Sequence, residues 1–337
     1  MSDEIKTSLE EAQLLAERAF VNVGVAEHAA RSTAWALVCA QRDGQAGHGL
    51  SRVASYCAQC RVGKIRTDAK PSVAQVRQGA VMVDAAHGFA YPALDLAIAE
   101  LYRMTPEAGI AIAGVKRSHH VGQAGAHVEK LADEGFVSLL FANTPKAIAF
   151  WGGAAPMMGT NPIAFAAPMG DAPPLVIDLA LSVAARGKIV AAHKEGAPIP
   201  AGWAFDEDGA PTADAAAALR GSLAPLGGAK GAALAMMVEI LAAALTGAHF
   251  GFEASSFFDS EGAPPNVGCV LLAIDPGLFA GDQFTERMKT LAAALGDTPG
   301  ARFPGEQRLK NRERVKAEGL TLSALLYEEL AALAGDK

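Results

Sequence analysis

The sequence predicts a mixed α/β (α+β) fold in which helices from both chain ends form one lobe beside a central sheet domain. Apolar residues recur at helical spacing near both ends, whereas the central segments contain short β-rich runs bounded by glycine and proline. With 337 residues, 51% of them hydrophobic and 19% charged, the chain can bury a substantial core. We therefore expect a helical lobe made of residues 1–67 with 281–337, and a sheet domain made of residues 68–280.

Composition and charge exclude several classes of function. The net charge of −7 leaves no basic surplus to neutralise phosphates, so we expect no nucleic-acid partner. The N-terminus is charged and lacks an apolar signal segment. The most apolar stretch, 231–245, is interrupted by Glu239 and is predicted as a buried helix instead of a membrane span. The four cysteines fit buried thiols in a reducing compartment, and we expect a cytoplasmic protein without membrane contact.

Three helices are predicted in the N-terminal part. Ser8 and Glu11 form a capping box that opens the first helix, and the second helix runs over about 26–41. A polar, glycine-bearing turn over 42–47 leads to a third helix, predicted over 50–60. This arrangement places His48 at the head of the third helix.

The centre of the chain mixes strands with helices, and the C-terminal part is again helical. The β-rich runs predict strands over 73–77, 80–83, 110–115, 136–142, 163–167, 175–178 and 267–274. Helical spacing predicts helices over 91–101, 126–133, 183–193, 283–295, 307–318 and 322–333.

His48, Arg52 and Tyr56 follow one another at a spacing that places them on nearly the same face of a helix. An imidazole that exchanges a proton near neutral pH, beside a guanidinium that grips a carboxylate, suits chemistry on a small acid. For an arbitrary pair at this spacing, an exposed polar face at a helix start is the more common explanation. Spacing alone leaves both interpretations open.

Glycine-bearing turns supply further candidate sites. The turn over 118–125 lies between a strand and a helix, where outward backbone N–H groups suit a phosphate. Spacing alone favours a turn-lining role for His120 over catalysis, and adjacent histidines cannot face one ion, so no metal site is expected. Lys230 lies in a glycine-rich helix entry, and Asp178 ends an apolar strand where ligand-facing carboxylates often occur. The glycine-rich start of the helix at Lys230 is compatible either with a phosphate site or with a turn that binds no ligand. The same two interpretations apply to the segment at Arg302.

Taken together, these segments resemble the malate/L-lactate dehydrogenase family, which is unrelated to the Rossmann-type dehydrogenases. The match extends from about Ser8 to Gly319. The matching motifs are His48-Gly49 with Arg52 and Tyr56, Ser118-His119-His120 with Gly122, Gly159-Thr160-Asn161-Pro162, Asp178, Arg186-Gly187-Lys188, Pro200-x-Gly202-Trp203, Asp208-Gly209-x-Pro211-Thr212, Gly228-x-Lys230-Gly231 and Pro304-Gly305-Glu306.

The resemblance implies a largely antiparallel, non-Rossmann sheet domain that binds NADPH or NADH, a small-molecule carboxylate substrate, and a homodimer. It implies that His48, or in some members the histidine matching His120, exchanges the proton, while Arg52 holds the substrate carboxylate. The other implied substrate contacts are Tyr56, Thr160, Arg186 and Gly187. The implied cofactor-binding residues are His120, Val121, Gly122, Gln123, Ala124, Gly125, Asp178, Leu179, Ala180, Ala229, Lys230, Arg302, Pro304, Gly305, Glu306 and Arg308.

Two departures from the family pattern bear on the substrate. Many members carry Ser before the catalytic histidine, where this chain has Gly47. The position matching the relay Asp of the cyclic-imine reductases is Lys188. The residues around His48 nevertheless most resemble those reductases.

The leading hypothesis is therefore NADPH- or NADH-dependent reduction of a small cyclic imino acid. The substrate would be Δ1-pyrroline-2-carboxylate or Δ1-piperideine-2-carboxylate, and the product L-proline or L-pipecolate. One alternative is an NAD(P)-dependent 2-hydroxyacid dehydrogenase of the malate or lactate type. A second alternative is a non-catalytic nucleotide-binding member of the family.

Overall fold

A seven-stranded sheet forms the centre of the computed structural model, which describes residues 4–335. In spatial order its strands are β2 (Ser72–Arg77), β3 (Ala80–Asp84), β4 (Ile110–Ser118), β13 (Val267–Ile274), β5 (Val137–Ala142), β8 (Ile163–Met169) and β9 (Ala172–Leu179). Among these described strands, β3 and β4 run parallel and every other neighbouring pair is antiparallel. The predicted mixed α/β fold with a largely antiparallel sheet is therefore confirmed.

Two smaller sheets complete the β-structure of the described chain. β1 (Glu4–Thr7) pairs antiparallel with β14 (Leu320–Ser323), which joins the two ends of the chain. The other sheet contains, in spatial order, β11 (Pro211–Thr212), β10 (Ala204–Phe205), β12 (Ser222–Leu223), β6 (Ile148–Ala149) and β7 (Pro156–Met158).

Helices surround these sheets and come from all parts of the chain. They are α1 (Leu9–Asn22), α2 (Glu27–Arg42), α3 (Val53–Arg61), α4 (Ala90–Ala108), α5 (Ala124–Asp133), α6 (Arg186–Glu195), α7 (Ala215–Arg220), α8 (Ala229–Glu239), α9 (Gly277–Ala280), α10 (Gln283–Gly296), α11 (Glu306–Glu318) and α12 (Ala324–Ala334). Within residues 4–335, none of them combines the length and the apolar character that a membrane crossing requires.

The chain ends share one apolar core. Phe20 of α1, Leu37 of α2, Tyr56 of α3 and Leu330 of α12 belong to one buried cluster, and α11 lies against α2. By contrast, α10 lies beside β8 of the central sheet. The division into residues 1–67 with 281–337 and residues 68–280 stays a prediction, and its ends, 1–3 and 336–337, lie outside the described residues.

A second core packs α4 and α5 on the central sheet. Leu101 and Val128 from these helices lie in one buried cluster with Leu140 of β5 and Leu271 of β13. Fully burying such a side chain contributes roughly 1.5–3 kcal/mol relative to leaving it exposed. The cluster therefore fixes the turn between β4 and α5, which carries His120.

The segment around His48 differs from the predicted helix. Two 3-10 turns, Ala46–His48 and Leu50–Arg52, precede α3. Gly49 approaches α2 so closely that a Cβ there would lie 2.6 Å from Gln41 Oε1. This close contact holds His48 in a turn against α2 instead of in the first turn of a regular helix.

Residues 231–245 also differ from the prediction of a buried helix. They form most of α8 and a π-helical turn, Ile240–Ala244, and one side packs against a third apolar cluster that includes Ile148 and Val238. The other side is exposed in the described chain, and its large apolar residues are Leu234, Met236, Met237, Ile240 and Leu245. The predicted full burial is therefore wrong for the single chain, because apolar content does not specify which face has a partner.

Candidate active site

The imidazole rings of His48 and His120 stack beside a cavity of about 780 Å³. Their centroids lie 5.3 Å apart with an interplanar angle of 29°. His48 comes from the turn after α2, and His120 from the turn between β4 and α5, so this contact joins the N-terminal helices to the central sheet. A cavity of this size accommodates a small acid together with part of a larger cofactor.

Both imidazoles are neutral near pH 7. Burial, aided by the nearby Arg52 guanidinium, lowers the pKa of His48 to about 4. Burial also lowers the pKa of His120 well below its usual value, with smaller contributions from Arg52 and His48. A neutral imidazole keeps one ring nitrogen free to accept a proton, so each ring is a candidate base.

Arg52 contributes its guanidinium to the cavity wall. Its Nε donates to the Gly47 carbonyl oxygen at 2.7 Å, and its Cζ lies 4.6 Å from the centroid of the Phe258 ring. No Asp or Glu of residues 4–335 lines this cavity. The remaining N–H groups of Arg52 are therefore left to bind a ligand carboxylate, whose geometry matches a guanidinium.

Tyr56 lies behind His120 and does not line the cavity. The residue is fully buried, and its Oη lies 2.7 Å from His120 Nδ1 and 3.4 Å from Tyr91 Oη. The structure thus gives Tyr56 a hydrogen bond to His120 where the resemblance implied a substrate contact. Because this bond occupies Nδ1, the Nε2 of His120 is the nitrogen left for a ligand.

Phe257 and Phe258 add an aromatic wall that sequence analysis missed. The Phe257 ring lies 5.0 Å from the His120 ring, and Gln59 Nε2 donates to the Phe257 carbonyl at 3.1 Å. Lys64, whose side chain is buried, donates to Asp259 Oδ1 at 3.1 Å. The wall lies in a loop without periodicity and is held by contacts between residues nearly 200 positions apart, so no local signal could have found it.

Thr160 lines the cavity in a turn that a buried carboxylate stabilises. Its N–H donates to Thr144 Oγ1 at 3.0 Å, and the two hydroxyl oxygens lie 3.3 Å apart. Glu239 Oε1 accepts hydrogen bonds from the Gly159 N–H at 3.1 Å and from Asn161 Nδ2 at 3.0 Å. Asn161 adopts a positive φ of 42°, which asparagine tolerates better than most residues.

Lys146, Arg186 and Lys188 join Arg52 as positively charged residues of the cavity. Four positive side chains and no described carboxylate create a positive potential that favours an anionic ligand. Arg186 was among the substrate contacts predicted from the sequence and Lys146 was not, whereas Lys188 was named within a matching motif and as a departure at the relay position, without a binding role. The net charge of a cavity depends on which segments of the chain meet there. The spacing of residues within one segment does not indicate which distant segments these are.

The turn after His120 is buried, and part of its hydrogen-bonding capacity is used inside the protein. The Gly125 N–H, in the first turn of α5, donates to Asp178 Oδ2 at 2.8 Å, and Gln123 Nε2 donates to Asp43 Oδ2 at 3.0 Å. Burial raises the pKa of Asp178, although the hydrogen bond from Gly125 opposes the shift. Asp178 therefore accepts a hydrogen bond from an N–H group at the start of α5, where the sequence predicts a phosphate site.

Arg308 belongs to a buried ion-pair network beside this turn. Its Nη2 lies 3.3 Å from Glu129 Oε1, and Arg312 pairs with both Glu129 at 2.7 Å and Asp43 at 2.6 Å. These ion pairs connect α11 to α5, through Glu129, and to Asp43, which directly follows α2.

The structure brings together part of the predicted site. The predicted residues that line the cavity are His48, Arg52, His120, Thr160, Ala180, Arg186 and Gly187. Those outside its lining are Tyr56, Val121, Gly122, Gln123, Ala124, Gly125, Asp178, Leu179, Ala229, Lys230, Arg302, Pro304, Gly305, Glu306 and Arg308. The substrate contact implied for Tyr56 and the cofactor contacts implied for the other residues stay predictions. In the described part of the chain, no three His, Cys, Asp or Glu side chains are grouped as metal ligands.

The cavity residues fit a nicotinamide dinucleotide. The neutral ring of His120, with Ala180 and Phe257, offers flat or apolar surfaces on which a nicotinamide ring would pack. Cofactor phosphates meet no lining carboxylate that would repel them.

A family model described as malate/L-lactate dehydrogenase matches residues 7–331. A (2R)-3-sulfolactate dehydrogenase (NADP(+)) from Chromohalobacter salexigens is 49% identical, over 97% of this chain and 97% of its own length. A Δ1-pyrroline-2-carboxylate/Δ1-piperideine-2-carboxylate reductase from Pseudomonas putida is 39% identical, over 98% of this chain and 97% of its own. The crystal structure of Δ1-piperideine-2-carboxylate reductase from Pseudomonas syringae pv. tomato matches with a TM-score of 0.93 and 38% identity, over 98% of this chain and 99% of that chain. The chain therefore belongs to the malate/L-lactate dehydrogenase family and is an NAD(P)-dependent oxidoreductase.

Proposed function

We propose that this protein interconverts a small 2-hydroxy acid carrying a second acid group with its 2-oxo acid, using NADP(H). The observation that carries the proposal is the charge of the cavity wall, which has Arg52, Lys146, Arg186 and Lys188 but no described carboxylate. A dianion binds to such a surface better than a monoanion of the same size. The relative at 49% identity is named for such a substrate, since 3-sulfolactate carries a carboxylate and a sulfonate.

In this mechanism Arg52 binds the carboxylate next to the reacting carbon, with the Thr160 hydroxyl in the same cavity. In the oxidation, the substrate hydroxyl proton passes to His48, whose low pKa keeps the imidazole ready to accept it. The bound nicotinamide supplies the hydride chemistry at that carbon, so that C–OH becomes C=O. In the reduction, the His48 imidazolium returns the proton to the carbonyl oxygen. Positioning by Arg52 provides much of the rate gain, and proton transfer by His48 adds roughly 10²–10⁴-fold.

Reduction of a cyclic imino acid is the second candidate function. The relative at 39% identity and the structural match at a TM-score of 0.93 are both named for this activity, which supports it. In that reaction His48 delivers its proton to the ring nitrogen. The cavity charge favours the first candidate, because a protonated imine carries a positive charge of its own beside the reacting carbon.

A panel of substrates separates the two functions, with turnover of each measured as the loss of absorbance of the reduced cofactor. The panel contains 3-sulfopyruvate, oxaloacetate, pyruvate and the two cyclic imines, each with NADPH and with NADH. We expect kcat/KM for 3-sulfopyruvate to exceed that for pyruvate and for the imines by at least about 10-fold, equivalent to about 1.4 kcal/mol. Turnover of the imines alone contradicts the proposal and supports the second candidate.

We also propose that the protein is a homodimer in which a second subunit covers the exposed apolar face of α8 and its π-helical turn. Leu234, Met236, Ile240 and Leu245 form this face, and contiguous apolar patches of this kind are typical of interaction sites. Light scattering is expected to give the mass of a dimer for the wild type and of a monomer for the double variant Leu234→Glu with Ile240→Glu. A monomeric wild-type protein contradicts this proposal.

A further inference from the structure

We propose that Lys188 recognises the second acid group of the substrate and thereby sets the preference for a dianion. This inference rests on the proposed function, in which Arg52 holds the carboxylate next to the reacting carbon. A second positive side chain on the wall of the same cavity then binds the distal sulfonate or carboxylate.

The side chain of Lys188 is positioned to bind an anion. The residue is the third of α6 and lines the cavity together with His48 and Arg52. Its ammonium forms no hydrogen bond or ion pair with any described residue, and it lies 5.7 Å from the centroid of the Trp203 ring. An aromatic face attracts an ammonium without neutralising it, so the positive charge stays available to a ligand.

Two other positive groups of the cavity already have partners. Arg52 donates to the Gly47 carbonyl at 2.7 Å, beside the base His48. Arg186 donates through Nη2 to the Leu219 carbonyl at 3.0 Å. These hydrogen bonds restrict both guanidinium groups, whereas the Lys188 ammonium retains all three donors for a ligand.

Lys146 is the competing candidate for the distal acid group. It lies two residues after Thr144, which hydrogen-bonds to Thr160, and it also lines the cavity. Lys188 differs from it in having an aromatic neighbour, Trp203, that localises the ammonium. A localised cation loses less conformational freedom when it binds, so Lys188 is the better receptor for an acid group.

The backbone at the start of α6 also favours binding of an anion near Lys188. Ala185 precedes the helix and has no side chain that caps its first N–H groups. Gly187 also lines the cavity, and apart from its chain neighbours and the backbone of α6 itself, no atom lies within 4 Å of the position that a Cβ would take there. An anion near Lys188 therefore has space and meets the positive end of the helix dipole.

Calorimetric titration with two non-reactive acids tests the assignment on the NADP+-saturated enzyme. Probe one is 3-sulfopropanoate, with a carboxylate and a sulfonate, and probe two is propanoate, which lacks the sulfonate. We expect Lys188→Gln to weaken 3-sulfopropanoate binding roughly 10- to 100-fold, with most affinity retained in Lys188→Arg. Lys194→Gln, which removes an exposed lysine of the same helix outside the cavity, is the matched control and should bind like the wild type.

Kinetics supply a second measurement. We expect Lys188→Gln to lower the ratio of kcat/KM for 3-sulfolactate to that for lactate by a similar factor, mainly through KM. Wild-type affinity of Lys188→Gln for 3-sulfopropanoate, or a loss confined to Lys146→Gln, overturns the assignment. If the wild type turns over no 2-hydroxy acid while Lys188→Gln still loses 3-sulfopropanoate binding, the proposed function fails and the role of Lys188 stands.

Discussion

The His48 ring stacks on the His120 ring at a centroid distance of 5.3 Å, and the two neutral imidazoles share one cavity. Their hydrogen bonding differs. The Tyr56 hydroxyl engages one nitrogen of His120 at 2.7 Å, whereas no described residue hydrogen-bonds to the ring nitrogens of His48. His48, whose ring nitrogens form no hydrogen bond to a described residue and which lies near Arg52 in the chain, is therefore the better candidate for proton exchange.

Replacing His48 by alanine is expected to lower kcat/KM by roughly 10²–10⁴-fold in both directions, because the group that accepts the proton in the oxidation and donates it in the reduction is lost. Cofactor affinity, measured by NADPH fluorescence titration, should stay near that of the wild type. His28→Ala, at an exposed position of α2, is the control and should retain wild-type kinetics. Wild-type turnover in the His48→Ala enzyme would transfer the proton-exchange role to His120.

The pH dependence of kcat/KM should reflect the low pKa of His48. Oxidation needs the neutral imidazole, so its kcat/KM should fall only as the pH drops towards the pKa of about 4. Reduction needs the imidazolium, so its kcat/KM should decrease by about tenfold per pH unit well above that pKa. Oxidation is checked with lactate above about pH 5.5, where its carboxylate is fully ionised and kcat/KM should stay flat, and reduction is checked with pyruvate, which stays ionised well above the pKa of His48. An inflection between pH 6 and 7 in both directions would be incompatible with a half-buried His48 whose pKa is lowered to about 4.

Replacing Glu239 by glutamine is expected to destabilise the protein by about 2–5 kcal/mol, although the two side chains have nearly the same shape. Each carboxylate oxygen accepts two hydrogen bonds, Oε1 from Gly159 and Asn161 and Oε2 from Asn143 and Gly251. An amide NH₂ in place of either oxygen would face two buried donors and leave them unpaired.

Urea unfolding of Glu239→Gln measures this loss. Glu253→Gln is the matched control, because its exposed carboxylate accepts one N–H bond, from Phe250, and we expect its unfolding free energy to change by less than about 1 kcal/mol. Equal stability of the two variants would show that the Glu239 hydrogen bonds do not support the turn that carries Thr160.

Replacing Arg312 by methionine is expected to cost about 3–5 kcal/mol, since Asp43 and Glu129 would lose a cation while both stay largely buried. Burial by itself raises the pKa of Asp43, but the hydrogen bonds from Arg312 and Arg42 outweigh it and hold the pKa below its ordinary value of 3.8. Because the pKa of Asp43 is lower in the folded protein than in the unfolded chain, its ionised carboxylate stabilises the fold at every pH above 3.8. This contribution is lost progressively as the pH falls from 3.8 through the pKa of the folded state.

The test compares the urea unfolding free energies of Arg312→Met and Arg314→Met at neutral pH. Arg314 lies on the same helix and is exposed, so its replacement should change stability by less than about 0.5 kcal/mol. A similar small effect for both variants would mean that the buried network contributes no net stability.

The sequence by itself determined the local elements and the chemistry of several cavity residues. The apolar run over 267–274 predicts the strand that the structure has as Val267–Ile274, and the hairpin β2–β3 follows its alternating pattern. His48, Arg52 and Thr160 were named from the order of motifs and lie in one cavity. Such features are predictable because strand and turn preferences depend on sterics and hydrogen bonds within a few residues.

Only the tertiary structure decided which side chains meet at the site. It placed Tyr56 behind His120, brought Lys188 to the cavity of His48, and attached the Phe257 wall to Gln59. It also replaced the predicted start of the third helix by turns, because Gly49 packs against Gln41. These outcomes depend on close packing between segments far apart in the chain, and a periodic pattern along one segment carries no information about its distant neighbours.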